Sequence, residues 1–284
     1  MEKQFNGDAI YNPSGKAGEY SYWACNFYVG CSNGCKYCYC KKGVLKKTMG
    51  GDNPTLKKCF KDENHALEVF EKELLQNLPE LQKHGLFFSF TTDPLLPETA
   101  GLTCDAMTLC LRNSIPMKIL TKKASWITEW LITILLDWRG KITYPTLIKY
   151  VSFGFTLTGH DELEPNASTN AERIEAMRKL HEAGFKTFAS IEPIIDINDS
   201  YGIFLCTSGF CDLYKIGLER GRKYSKTALA LFVKNCNDFL EFRNKQSSFP
   251  AKIYFKDGLL KAAGINREDL PSNCVNRDFN LFNI

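Results

Sequence analysis

The sequence predicts an α/β protein that is built on a parallel β-sheet. Apolar, strand-like segments alternate with amphipathic, helix-like segments along most of the 284 residues, and this alternation is typical of parallel strands joined by helical crossovers. Six such strands are predicted, which is too few for a closed eight-stranded barrel. Two architectures therefore remain open, an open six-stranded barrel and a doubly wound sheet.

Each predicted strand contains β-branched or aromatic residues and ends in a polar or glycine-containing exit. The strands are 24–29, 86–91, 117–120, 150–157, 186–191 and 213–217. The helices predicted between them are 63–78, 101–113, 125–138, 169–184 and 224–245. The fourth helix has the clearest boundaries, because Thr169 and Glu172 form a capping box at its start and Gly184 ends it.

The whole chain, 1–284, is predicted to be a single domain. No internal repeat, low-complexity tract or Pro/Ser-rich linker divides it. We expect an N-terminal lead-in at 1–23, a barrel core at 24–220, and a C-terminal helix and edge strand within 221–284. The segment 252–260 is interpreted either as that edge strand or as a plug over the barrel.

Composition and charge exclude several classes of protein. The net charge of +4 falls short of the basic stripe that is typical of nucleic-acid-binding modules. Residues 1–16 lack the apolar segment of a signal peptide, and the most apolar run, 130–138, is too short to span a bilayer. We therefore expect a cytoplasmic protein with no membrane partner. Thiols stay reduced in that compartment, so the 12 cysteines do not predict disulfides.

A polar loop directly after the first predicted strand contains Cys31, Cys35, Cys38 and Cys40. Function gathers at the carboxyl ends of parallel barrel strands, so the loop lies where chemistry is expected. The first three cysteines have the spacing C-x3-C-x2-C. Three thiolates this close together can hold three irons of a four-iron cubane and leave the fourth iron without a protein ligand.

The alternative ligand sets fit the sequence less well. A structural zinc usually takes four ligands as two pairs, and the second pair is missing, since Cys206 and Cys211 are separated by four residues. Cys40 could replace Cys38 in a shifted register, but its spacing is less suitable. We therefore interpret Cys40 as a residue that packs beside the metal site.

The loop and its surroundings resemble the radical SAM enzymes, in particular the group similar to spore photoproduct lyase. The resemblance rests first on 26-NFYVGCSNGCKYCY-39. Further matching segments are 11–26, 92–98, 121–122, 164–165 and 172–196. Together they cover most of residues 11–196, and the C-terminal part matches less clearly.

The resemblance implies the fold, the cofactors and a first set of site residues. It implies a partial (β/α)6 TIM-like barrel of the radical SAM type, with a [4Fe–4S] cluster on Cys31, Cys35 and Cys38. In this superfamily S-adenosylmethionine (SAM) occupies the fourth iron, and its reductive cleavage gives a 5′-deoxyadenosyl radical. A flavodoxin- or ferredoxin-type protein is the expected reductant. The residues expected to contact SAM are Tyr37, Thr92, Lys122 and Thr156.

Six further residues are candidates for substrate contacts, because they are expected at the same end of the barrel. They are Asp93, Glu98, His160, Glu192, Lys215 and Glu219. Some have structural alternatives, namely a helix cap for Asp93 and Glu98 and an ion pair for Glu192. Arg220 and Arg222 lie in a basic turn that could bind a phosphate or could simply be solvated. The sequence assigns no catalytic residue.

The period of two in segment 150–161 predicts which face of that strand lines a cavity. One face carries Ser152, Gly154, Thr156 and Thr158, and the other carries Val151, Phe153, Phe155 and Leu157. A packed barrel interior typically contains bulky branched residues. The small and polar face therefore predicts a ligand-lining strand, with its apolar face toward the helices.

Two reactions follow from the resemblance. Spore photoproduct lyase repairs a thymine dimer in DNA and uses a cysteine near the end of its second strand as hydrogen donor. That position falls close to Phe90 here, and the stretch 87–94 contains no cysteine. This departure and the modest net charge argue against DNA repair.

The preferred hypothesis is a radical SAM lyase with a small nucleotide or nucleoside substrate. The best candidate reaction breaks the C–N bond of queuosine 5′-phosphate and releases the base queuine, a role in queuine salvage, and nucleic acid is not the expected partner. A third hypothesis is a non-enzymatic iron–sulfur or zinc-binding protein, which would need four protein ligands.

Overall fold

The main sheet contains eight strands in the computed structural model, which describes residues 4–126, 143–247 and 250–283. They are β1 (Ile10–Tyr11), β2 (Ala24–Cys25), β5 (Leu86–Phe88), β6 (Met117–Thr121), β7 (Val151–Thr156), β8 (Lys186–Ile194), β9 (Leu213–Leu218) and β10 (Lys252–Phe255). Their order in the sheet is β1-β2-β5-β6-β7-β8-β9-β10. β1 is antiparallel to β2, and all other neighbours are parallel. Two further short strands, β3 (Tyr28–Val29) and β4 (Thr55–Leu56), pair with each other.

The helices lie mainly between these strands. They are α1 (Gly15–Gly18), α2 (Lys46–Met49), α3 (Glu63–Gln76), α4 (Leu78–His84), α5 (Ala100–Arg112), α6 (Tyr144–Tyr150), α7 (Asn170–Glu182), α8 (Ile197–Thr207), α9 (Lys226–Gln246) and α10 (Asp257–Ala263). The predicted capping box of Thr169 and Glu172 is present at the start of α7. The predicted helix 125–138 lies outside the described residues from position 127 onward. α8 was not predicted; the Asp196 carboxylate caps its start by accepting hydrogen bonds from Asn198 N and Asp199 N.

The strand order decides between the two predicted architectures. A doubly wound sheet reverses its strand order at a switch point, whereas the parallel strands here follow one another as they do in the chain. Right-handed crossovers then place the connecting helices on the same face of the sheet. Within the described residues no backbone pairing joins β10 to β1, so the arrangement is that of an open barrel.

Each parallel strand separates an outer core from an inner one. The outer core lies between strands and helices and includes Phe88, Ile119, Phe153 and Ile191. Alternate residues of the same strands point to the inner cluster, which includes Phe87, Phe188 and Leu213. The predicted faces of segment 150–157 agree with this division, because Val151, Phe153, Phe155 and Leu157 belong to the outer core.

The inner face of β7 does not line a ligand cavity along its whole length. A Cβ on Gly154 would lie 2.2 Å from the Phe188 ring, so the space beside this glycine is already filled by an aromatic side chain. Ser152 donates a hydrogen bond to the Met117 carbonyl at 3.1 Å. Only the carboxyl end of the strand, at Thr156, reaches the cavity described below.

The C-terminal tail fills the inner side of the sheet. Leu281 is fully buried in the inner cluster, and Val275 and Phe279 pack against it. Val275 N donates to the Ile253 carbonyl at 2.8 Å, which attaches the tail to β10. Of the two roles considered for 252–260, its first residues form the edge strand β10 and the next ones form α10, while the plug is formed by the tail.

The predicted strand 24–29 is wrong as a single strand, because Asn26 interrupts it. Its Oδ1 accepts a hydrogen bond from Phe90 N at 2.8 Å, and its Nδ2 donates to the Tyr11 hydroxyl at 2.6 Å. The chain therefore leaves the main sheet after β2 and continues as β3, which pairs with β4. The predicted strand 86–91 is likewise shorter and ends at Phe88.

None of the described helices is both long enough and apolar enough to cross a bilayer.

Candidate active site

A cavity of about 450 Å³ opens at the carboxyl ends of the parallel strands. This lies within the range of roughly 300–1,000 Å³ that is usual for small-molecule sites. Its walls are the cysteine loop after β2, the segments that follow β5 and β6, and the ends of β7, β8 and β9. Part of the N-terminal lead-in, including Lys16 and Tyr20, closes another side.

The cysteine loop, residues 30–40, turns sharply at two glycines. Gly30 has φ +82° and Gly34 has φ +71°, which other residues rarely adopt, and a Cβ on Gly30 would lie 2.4 Å from Asn53 O. The cysteine loop is also hydrogen-bonded to the loop that follows β7, since Lys36 N donates to Leu163 O at 2.9 Å. The cysteines are therefore fixed between two segments that are distant in the chain.

All four cysteines of the loop line the cavity. Burial raises the pKa of Cys31 to about 11. A hydrogen bond between the Cys38 and Cys40 thiols lowers the pKa of Cys38 to about 6 and raises the pKa of Cys40. Cys40 Sγ also lies 3.9 Å from the carbonyl oxygen of Phe90. Cys40 thus lies in the cavity wall beside Cys38.

Asp93 lines the cavity, but protein donors surround its carboxylate. Oδ2 accepts from Asn33 Nδ2 at 2.8 Å and from Lys122 N at 2.7 Å. Oδ1 accepts from Thr121 Oγ1 at 2.6 Å and from Leu95 N at 3.1 Å. The residue that was predicted as a substrate contact therefore joins the cysteine loop to the exits of β5 and β6.

Glu164 contacts three polar residues beside the cysteine loop. Its buried carboxylate forms an ion pair with the fully buried Arg173 and accepts a hydrogen bond from the Tyr37 hydroxyl. Lys122 Nζ lies 4.0 Å from Glu164 Oε1 and 5.7 Å from the centre of the Tyr37 ring. Burial opposes the charge of Lys122, but the negative charges of Cys35 and Glu164 outweigh it and raise the pKa of this lysine.

A second polar group lies where β8, β9 and β10 meet the lead-in. Lys256 Nζ lies 2.9 Å from Glu192 Oε1 and 3.6 Å from Glu19 Oε2. The Tyr20 hydroxyl donates to Glu192 Oε2 at 2.8 Å. Burial, followed by the Glu192 charge, raises the pKa of Tyr20 well above its usual range. Glu192, predicted as a substrate contact, therefore lines the cavity while it is bound to Lys256 and Tyr20.

The remaining predicted residues divide between the cavity and other places. Thr92, Thr156 and Glu219 line the cavity, and Glu219 Oε1 lies 3.0 Å from Lys42 Nζ at its mouth. Three predicted residues, Glu98, His160 and Lys215, do not line it.

Each of these three has another environment. Glu98 is exposed just before α5. The His160 ring lies 2.9 Å from Glu162 Oε1 and 3.2 Å from Asp199 Oδ2. Lys215 is buried beneath the cavity, where its Nζ donates to Tyr20 O at 2.6 Å and Glu19 O at 3.0 Å.

Several residues that organise the site were not predicted from the sequence. They are Tyr20, Asn33, Arg173 and Lys256. Arg173 carries the only signal that a pattern could have given, because it stands at a core-facing position of α7, where a charged residue needs a buried partner. The partners of Tyr20 and Lys256 are more than 60 residues away in the chain, so no local pattern indicates them.

The side chains that line the cavity fit an iron–sulfur cluster with a polar organic ligand beside it. Two residues that line the cavity, Asn33 and Thr92, each have a buried side-chain oxygen, Oδ1 and Oγ1, with no hydrogen-bond partner among the described residues. Since buried polar atoms are nearly always paired, they indicate a polar ligand. Across residues 4–126, 143–247 and 250–283 no three His, Cys, Asp or Glu side chains converge on a single ion; a cubane takes one thiolate per iron and does not require such convergence.

The fold is similar to that of solved enzymes. A spore photoproduct lyase mutant with bound AdoMet and dinucleoside spore photoproduct has 18% sequence identity and a TM-score of 0.53, covering 78% of this chain and 62% of its own. SuiB from Streptococcus suis bound to S-adenosylmethionine has 13% identity and a TM-score of 0.54, covering 88% of this chain and 53% of its own. The chain thus spans less than two thirds of either protein. No family model matches the sequence, and no curated protein matches it. The predicted α/β partial-barrel fold is confirmed.

Proposed function

We propose that this chain is a radical SAM enzyme of the group similar to spore photoproduct lyase, and that it breaks a bond in a nucleotide or nucleoside. The observation that carries the proposal is the position of Cys31, Cys35 and Cys38, which line one cavity together with Asn33 and Thr92, each of which has an unpartnered side-chain oxygen. Likeness to solved structures with bound AdoMet and S-adenosylmethionine supports it.

In this proposal the three cysteines hold a [4Fe–4S] cluster, and SAM binds beside it. When bound, this pair supplies a 5′-deoxyadenosyl radical that abstracts a hydrogen atom from the substrate. Asn33 and Thr92 offer their unpartnered oxygens to SAM, and Lys122 offers a cation for its carboxylate. Glu164 orients both Lys122 and Tyr37 through its contacts with their polar atoms.

The substrate would occupy the part of the cavity between the cysteines and the β8–β10 wall. Thr156, Glu192 and Glu219 lie along this path, and Arg220 stands at the mouth as a donor for an anionic group. Most side chains that line the cavity near the three cysteines are buried or half-buried, which limits the access of water to the reacting atoms and protects a reactive intermediate from side reactions.

As the specific reaction we propose cleavage of the C–N bond of queuosine 5′-phosphate, with release of queuine. The test is an anaerobic reconstitution with iron and sulfide, followed by addition of SAM, a reductant and queuosine 5′-phosphate. Mass spectrometry is expected to detect queuine and 5′-deoxyadenosine together. The Cys35→Ala variant, treated identically, is expected to form neither product. If the wild type forms 5′-deoxyadenosine without queuine, the substrate is wrong and the enzyme class stands.

Repair of the spore photoproduct type is the second candidate, and one contact favours it. The position at which spore photoproduct lyase has its hydrogen donor falls close to Phe90, and the Cys40 thiol lies 3.9 Å from the Phe90 carbonyl oxygen. A thiol is therefore near that place although the strand itself contains none. Incubation with dinucleoside spore photoproduct separates the candidates: conversion by the wild type, lost in Cys40→Ala, would support repair and overturn the queuine hypothesis.

A further inference from the structure

Directly after the third cysteine, the chain forms a basic projection with an apolar tip. Residues 36–47, here called the lysine loop, contain five lysines and no acidic residue. Val44 is 86% exposed, the highest value among the large apolar residues that the structure describes. Leu45 beside it is 38% exposed. An exposed apolar pair with a polar rim can form the centre of a protein–protein contact.

The positive charge of this loop is only partly neutralised. Lys41 Nζ lies 2.5 Å from Asp52 Oδ1, and Lys42 Nζ lies 3.0 Å from Glu219 Oε1. Lys36, Lys46 and Lys47 form no ion pair with any residue of the described ranges, and all three are exposed. The loop therefore presents a local excess of positive charge to solvent, although the chain as a whole carries only +4.

The lysine loop is continuous with the wall of the cysteine cavity. Lys42 and Leu45 line the same cavity as Cys31, Cys35 and Cys38. Tyr39, between the third cysteine and Cys40, also lines it and is 51% exposed. A molecule that covers the loop from outside would thus contact residues that also line the cysteine cavity.

We propose that the lysine loop is the docking surface for a small acidic one-electron carrier of the flavodoxin or ferredoxin type. The inference rests on the proposed function, because a [4Fe–4S] cluster on the three cysteines must be reduced by an external electron before it can cleave SAM. Charge complementarity would steer an acidic carrier to Lys36, Lys46 and Lys47. Val44 and Leu45 would form the apolar centre of the contact, a feature that a nucleic-acid backbone would not need.

The test compares two reductants on the reconstituted protein. Cluster reduction is followed by visible absorbance under anaerobic conditions, first with excess reduced flavodoxin and then with photoreduced deazaflavin, a small uncharged reductant. In the double variant Lys46→Glu/Lys47→Glu we expect the bimolecular rate with flavodoxin to fall by about tenfold at low salt. The rate with deazaflavin is expected to stay within a factor of two.

A matched control separates local charge from net charge. Lys72→Glu/Lys261→Glu makes the same change in net charge at exposed positions of the outer helices α3 and α10. It is expected to retain the wild-type rate with flavodoxin. Val44→Ser tests the apolar tip, and we expect a rate several-fold lower whose salt dependence equals that of the wild type.

The outcomes distinguish this proposal from the proposed function. If the protein takes up no four-iron cluster, the proposed function fails and the docking surface fails with it. If the cluster forms and Lys46→Glu/Lys47→Glu is reduced by flavodoxin as fast as the control, the docking surface alone is overturned. A loss of oligonucleotide binding in that variant, with an unchanged flavodoxin rate, would overturn it too and would assign the loop to nucleic acid.

Discussion

Arg173 and Glu164 form an ion pair in which neither side chain is exposed to solvent. Arg173 also donates a hydrogen bond to the Thr156 carbonyl at 2.5 Å. Because Glu164 in turn contacts Tyr37 and Lys122, this pair connects α7 and the end of β7 to the cysteine loop.

Replacement of Arg173 is expected to be strongly destabilising. Arg173→Met leaves the Glu164 carboxylate buried with only Tyr37, Thr158 and the more distant Lys122 as partners. Breaking a buried pair on one side typically costs about 3–5 kcal/mol. The measurement is the free energy of unfolding in urea. Lys179→Met, at an exposed position of the same helix, is the control and should change it by less than about 0.5 kcal/mol.

The cysteines of the loop are expected to differ in their effect on the cluster. Cys31→Ala, Cys35→Ala and Cys38→Ala each remove one of the proposed iron ligands, so iron and acid-labile sulfide after reconstitution should fall well below four per chain. Cys40→Ala removes only the neighbour of Cys38 and should retain the full content. Loss of the cluster in Cys40→Ala with retention in Cys38→Ala would assign the third ligand to Cys40.

Gly154 should tolerate no side chain, because a Cβ there would lie 2.2 Å from the Phe188 ring. We expect Gly154→Ala to lower the free energy of unfolding by about 1–3 kcal/mol, as overpacking of a core does. Adding Phe188→Leu should recover part of the loss. Gly202→Ala in α8 is the control, since nothing lies within 4 Å of its Cβ, and it should be neutral or stabilising. Equal losses at both glycines would contradict the packing argument.

Lys118 makes stability depend on pH in the alkaline range. Burial lowers its pKa to about 8 from 10.5, so between these two values the unfolded chain binds more protons than the folded protein. The free energy of unfolding therefore rises as the pH increases from 8 to 10.5. Below pH 8 it is reduced by the full cost of keeping a buried lysine charged. Lys118→Met removes this cost and should stabilise the protein at pH 7 by an amount on the order of 2–3 kcal/mol.

The pH effect is measured as the difference between wild type and Lys118→Met, because other groups titrate in the same range. Urea midpoints at pH 7, 8, 9 and 10 should converge as the pH rises. A difference that is constant across the series would mean that the variant acts through packing and not through charge.

The parts of the fold that follow from local patterns could be predicted. Period-two alternation placed Val151, Phe153 and Phe155 on the outer face of β7, and the capping chemistry of Thr169 and Glu172 placed the start of α7. What could not be predicted depends on contacts between distant segments. Asn26 breaks a strand-like stretch because its side chain pairs with Phe90 and Tyr11, and nothing near it in the chain indicates those partners.

The candidate site shows the same limit. The spacing of the cysteines predicted only the part of the cavity wall that residues 30–40 form. Lys215 was expected at the cavity because it stands in the last predicted strand, but its Nζ is held by the backbone of residues 19 and 20. Its position depends on the path of the lead-in, which carries no periodic signal that would predict it.

The open side of the barrel is bridged by side chains, with no backbone ladder between β1 and β10 in the described residues. The Tyr254 hydroxyl donates to Glu19 Oε1 at 3.1 Å, and Lys256 Nζ donates to the Lys16 carbonyl at 3.1 Å. Separating this seam breaks such contacts and part of the packing of the C-terminal tail but no backbone ladder, whereas separating β7 from β8 would break a continuous ladder. Opening of this seam is therefore expected to cost less free energy than separation of two neighbouring parallel strands. In amide hydrogen exchange, Asp257 N, which donates across the seam to Glu19 Oε1 at 2.8 Å, should lose its protection well before the amides of β7, and opening of the seam would admit a ligand while the central sheet stays intact.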